Sequence, residues 1–108
     1  MEKKDLRRDI GHSIAENLRK AFKHFAVLVI VDYNKDIDRY TACIKCRDIH
    51  DENNPSVEKF VFLYLKNILD LETVYIREDV TGIRRFVVDN IDEKQVKQIV
   101  KICHQESC

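Results

Sequence analysis

Residues 54–69, NPSVEKFVFLYLKNIL, decide the fold. The run Phe60–Leu65 is apolar throughout and carries the aromatic and β-branched residues that favour strands. Two features turn the reading to helix. Asn54 suits an N-cap and Pro55 the first helical position, where a missing N–H costs nothing. Val57, Phe60, Val61, Tyr64, Leu65 and Ile68 then recur at the three- and four-residue spacing of one helix face. The pattern predicts a helix from Pro55 to Leu69 with those six residues as its inner stripe. Phe62, Leu63 and Leu69 widen the apolar arc beyond one face. A helix apolar over so much of its circumference is buried by something. Either the sheet and a neighbouring helix sandwich it, or a partner covers it.

Before this segment, Leu6, Ile10, Ile14, Leu18 and Phe22 repeat every fourth residue and predict a helix over residues 4–23. Its opposite face carries Arg7, Arg8, Glu16, Arg19, Lys20 and Lys23. Gly11 weakens it by about 1 kcal/mol relative to Ala. Ala26–Tyr33 follows as a strand. Its unbroken Val27–Val31 run predicts a central strand covered on both faces. Asn34-Lys35-Asp36 has turn chemistry. Ile37–Asp48 then alternates, with Tyr40, Ala42, Ile44 and Cys46 on one face and Arg39, Thr41, Cys43, Lys45 and Arg47 on the other.

After it, Leu71–Glu78 and Gly82–Asn90 read as strands joined through Asp79-Val80-Thr81-Gly82. Val74 and Ile76 share one face, and Thr73, Tyr75 and Arg77 the other. Phe86 and Val88 alternate with Arg85 and Val87. Asp92 with Gln95 three residues on forms a capping box for a last helix, striped by Val96, Ile99, Val100 and Cys103. Residues 103–108 form a frayed tail. The order α-ββ-α-ββ-α defines one α+β domain over residues 1–108, an antiparallel sheet with helices packed mainly on one face.

Composition narrows the function classes. The chain has 108 residues, 44% hydrophobic and 35% charged, with two Gly, one Pro and zero net charge. Such a chain folds without staples and is not disordered. The first 24 residues hold seven Lys/Arg against four acids, so basic character is local, whereas a dedicated nucleic-acid binder carries a general excess. The N-terminus lacks an apolar signal region, and the apolar runs are far shorter than the roughly 20 residues of a membrane span. The reading is a cytoplasmic protein whose Cys43, Cys46, Cys103 and Cys108 stay thiols.

Four chemistries are weighed against these residues. Cys43-Ile44-Lys45-Cys46 matches the C-x-x-C of a zinc or redox site, but on a strand residues three apart point to opposite faces and no turn brings the sulfurs together. A metal nuclease needs an acid on one strand and acid-x-Lys on the next. Asp32, Asp36 and Asp38 offer the first part, but Cys43 stands where the second acid belongs. His12, His24, His50 and His104 have no nucleophile context, and pairing Cys43 with His50 has only proximity in sequence behind it. The expectation is therefore no enzyme, no cofactor and no metal.

Binding remains. A protein-binding module, adaptor or inhibitor in type, is expected to self-associate as a homodimer through Phe62, Leu63 and Leu69 of helix 2, since aromatic-rich apolar patches mark partner surfaces. The sheet face bearing Arg39, Lys45, Arg47, Tyr75, Arg77 and Arg85 is expected to be a second partner surface. The alternative is a small nucleic-acid-binding domain using that basic face and its tyrosine as a phosphate and stacking platform. The protein partner stays without identity at this level.

Overall fold

A computed structural model describes residues 5–48 and 56–105. In chain order it contains α1 (Arg7–Ala21), β1 (Phe25–Asn34), β2 (Arg39–Asp48), α2 (Ser56–Leu63) with a π-helical turn (Tyr64–Ile68), β3 (Val74–Glu78), β4 (Arg84–Ile91) and α3 (Glu93–Gln105). The expected α-ββ-α-ββ-α order is present. The Asn54–Pro55 helix start, His50 and Cys108 lie outside the described residues.

α1 is shorter than its repeat at both ends. Ile10, Ile14 and Leu18 are fully buried, while Leu6 and Phe22 flank the helix and pack against the core. The Leu6 N–H leaves the helix to donate to the Tyr40 hydroxyl at 3.3 Å. α3 runs through Gln105, three residues into the segment expected to fray. Its capping box forms in both directions, with Asp92 N–H to Gln95 Oε1 at 3.1 Å and Gln95 N–H to Asp92 Oδ1 at 2.8 Å. Two of the orphan donors of the helix start are thereby satisfied. Asn17, fully buried in α1, donates from Nδ2 to the Ile99 carbonyl and ties α1 to α3.

Both hairpins share one sheet. The strand order is β1-β2-β4-β3, with every neighbouring pair antiparallel. One face carries the core. Tyr40, Ala42 and Ile44 of β2, Phe86 and Val88 of β4 and Val74 of β3 meet α1, α3 and Val61 and Leu65 of the middle helix. The register shifts between Tyr40 and Ala42, whose partners are Ile91 and Val88, so Thr41 faces two residues. One of them, Asn90, takes φ 57°, the left-handed conformation a bulge needs and Asn tolerates.

Two expectations are corrected. β1 is not central: it is an edge strand. Its unbroken apolar run covers only the core side with Val27, Val29 and Val31, while Leu28 and Ile30 are 57% and 56% exposed on the other face. The inner stripe of helix 2 is narrower and shifted. Val61 and Leu65 are fully buried and Leu69 is 1% exposed, so Leu69 is core and not partner surface. Phe62 is half-buried against that core. Phe60 and Ile68, assigned to the inner stripe, point outward with Leu63. The π-helical turn supplies the reason. The Leu69 N–H bonds the Tyr64 carbonyl five residues back, and the wider turn rotates Leu69 inward and Ile68 outward. Asp70 then takes the left-handed φ of 55° and the Leu71 N–H reaches the Leu65 carbonyl, closing the helix.

Candidate interaction surface on the open sheet face

The strand pairings lay the second sheet face out as rows. No described element packs over it. Ile30 lies opposite Cys43, Cys43 opposite Val87, and Val87 opposite Tyr75. These four residues, one per strand, form an apolar band across the whole sheet. Val87 is only 4% exposed although it faces outward, because its cross-strand neighbours close over it. Ile30 and Tyr75 stand open at the two ends.

On one side of the band lie the cations. Leu28 pairs with Lys45, and Arg77 with Arg85. Continuing the Cys43–Val87 and Ile44–Phe86 register puts Lys45 beside Arg85, and Arg47 lies one row beyond. On the other side lie acids. Asp32 pairs with Thr41, and the Thr41 hydroxyl donates to Asp89 Oδ1 at 3.1 Å. The Asp89 carboxylate near the Tyr75 hydroxyl favours the neutral phenol and raises its pKa. The face is thus an apolar band between a basic row and an acidic row.

Lys45, Arg47, Tyr75, Arg77 and Arg85 therefore share one face, as expected. Arg39 does not join them. It lies on the same face beyond the acidic row, and its guanidinium donates to the Ile37 and Asp38 carbonyls of the β1–β2 turn. Of the helix 2 residues, Leu63 is exposed at 43% and forms a small outward stripe with Phe60 and Ile68. Arg19 and Lys20 of α1 are committed elsewhere. Arg19 bonds Glu16 and the Val27 carbonyl, and Lys20 donates to the Cys103 carbonyl near the end of α3, where a positive charge meets the negative helix end.

Sequence reasoning missed Leu28 and Ile30 as surface residues. An apolar run with no alternation hides which of its residues face water. The signal available was the polar face of β2, since each β1 residue opposite a β2 cation must share that face.

The cysteine geometry follows the strand. Cys43 lies in the outward band, whereas Cys46 packs against the core beside Val27, so the two sulfurs do not converge. Burial pushes the Cys46 thiol up to about 12, which makes it a poor nucleophile. Among the described residues, no three His, Cys, Asp or Glu side chains are grouped to hold a metal ion, and no helix is long and apolar enough to cross a membrane. Comparisons with family models, curated proteins and solved structures find no match to this chain.

Proposed function

We propose that this chain is a non-enzymatic protein-binding module whose main binding surface is the open sheet face. The observation that carries the reading is the exposure of Leu28 and Ile30, side by side on an uncovered edge strand and continuous with Cys43, Val87 and Tyr75. Large aliphatic side chains grouped on a rigid surface and rimmed by charge are typical of protein interfaces. The outward stripe of Phe60, Leu63 and Ile68 is a second, smaller surface in the same reading. Self-association as a homodimer is the form of binding this chain is expected to show. Cys43, Cys46 and Cys103 are in no disulfide among the described residues, in keeping with action in the cytoplasm.

The test separates surface from core. At concentrations where the chain is monomeric, Ile30→Glu and Leu28→Glu keep the wild-type melting temperature within a few degrees, because both side chains already meet water. A loss of cooperative melting in both would mean that these residues are core, and the surface reading would fall.

A second reading has its own observation. Lys45, Arg47, Arg77 and Arg85 lie together beside Tyr75, which fits a phosphate backbone and a stacked base. Against it stand Asp32 and Asp89 across the same face, with Asp89 near enough to raise the Tyr75 pKa. Retention on a nucleic-acid column at low salt, lost steeply as salt rises and lost in Lys45→Glu with Arg85→Glu, would favour it.

A further inference from the structure

We propose that the occupant of the open sheet face is a second copy of this chain, related by a two-fold axis that runs along the apolar band and across the strands. The inference rests on the protein-binding reading above and adds the partner and its orientation.

Charge placement selects the arrangement. Two sheets packed face to face by a two-fold must have the axis in the plane between them, and the interface is then self-complementary. An axis parallel to the strands through the middle of the sheet lays each row over itself with the strand order reversed, so Lys45 would meet the copy's Arg85, cation against cation. An axis along the Ile30–Cys43–Val87–Tyr75 band exchanges the rows instead. Each band residue then faces its own copy, and the basic row of one chain covers the acidic row of the other. Arg85 comes over Asp89, Lys45 beside Asp32, and Arg77 over Thr73. These placements follow from the pairings of the four strands and from the bond of the Thr41 hydroxyl to Asp89. Complementary rows fix register and reject the wrong one.

The size of the face sets the strength. Four strands about 4.8 Å apart, the longest of them about 33 Å, offer roughly 500–600 Å² per copy. That lies at the low end for specific complexes, about 1,200 Å² in total or less. A face of this size fits a dimer that forms reversibly with concentration.

Two variants test the arrangement. One carries Lys45→Glu with Arg77→Glu, which makes both rows acidic. The other carries Asp32→Lys with Thr73→Lys, which makes both rows basic. All four sites are exposed or half-exposed, so both variants fold, as circular dichroism checks. Each alone is expected to be monomeric in sedimentation velocity at concentrations where the wild type is dimeric. Their equimolar mixture is expected to form a heterodimer that weakens as salt rises. A short thiol-to-thiol crosslinker is expected to join Cys43 to Cys43 in wild-type protein, and not in Cys43→Ser. A wild-type dimer indifferent to both variants, with no heterodimer in the mixture, would assign association to another surface and overturn the proposal. A wild type that stays monomeric at high micromolar concentration would overturn the second-copy assignment. The binding-module reading would survive that result if Ile30→Glu and Leu28→Glu still melt like the wild type.

Discussion

Gly82 closes the turn between β3 and β4 at φ 88°. A Cβ there would meet only a Glu78 carboxylate oxygen at 3.8 Å, so the demand for glycine is conformational and not steric. Gly82→Ala is expected to lower stability by about 1 kcal/mol in urea unfolding, with the fold unchanged. The same turn depends on Asp79, whose Oδ1 accepts from the Thr81 hydroxyl and from the Thr81 and Ile83 amides. Those bonds, the Thr81 hydroxyl first, hold its carboxyl below the ordinary 3.8. A group with a depressed folded pKa stabilises the fold above its unfolded pKa, and the contribution is lost as pH falls through the folded value. Stability of the β3–β4 turn is therefore expected to be constant near neutrality and to decline below about pH 4. In Asp79→Asn, amide exchange at Thr81 and Ile83 would lose that acid dependence.

At the scale of elements, the legible parts of the sequence are those where periodicity and end chemistry agree. The last helix was readable because Asp92 and Gln95 sit at the right spacing before the Val96–Ile99 stripe, and the capping box forms as read. β2 was readable because polar and apolar residues alternate. β1 was not, because Val27–Val31 has no alternation and its edge position follows only from β2 taking the distant β4 as its other neighbour. The π-helical turn was equally hidden, since a 3.6-residue template spans Ile68 and Leu69 without showing which turns inward. That turn makes a prediction about the middle helix. Leu65→Ala is expected to cost about 2–5 kcal/mol because Leu65 is fully buried. Leu63→Ala, two residues earlier, is expected to change stability by about 0.5 kcal/mol or less. Equal losses at both positions in denaturant unfolding would mean that the helix buries a wider arc.

At the scale of the whole molecule, the described helices lie on one side of a four-stranded sheet, and among the described residues nothing covers the other side. An antiparallel sheet tolerates that arrangement when its open face is polar. Here the open face is divided, with charges in two outer rows and Ile30, Cys43, Val87 and Tyr75 between them. The cations of this face were legible from the alternation of β2 and β3, but the acidic row was not, because Asp32 and Asp89 come from strands whose order the sequence does not state. The zero net charge thus conceals two opposed rows, and their opposition is what a symmetric pair of chains can use. Light scattering across a concentration series, comparing wild type with Ile30→Glu, tests this account most directly. The account predicts a wild-type mass that rises from the monomer toward twice that value, and an Ile30→Glu mass that stays at the monomer. A wild-type monomer at every concentration, or a dimer that Ile30→Glu leaves intact, would contradict it.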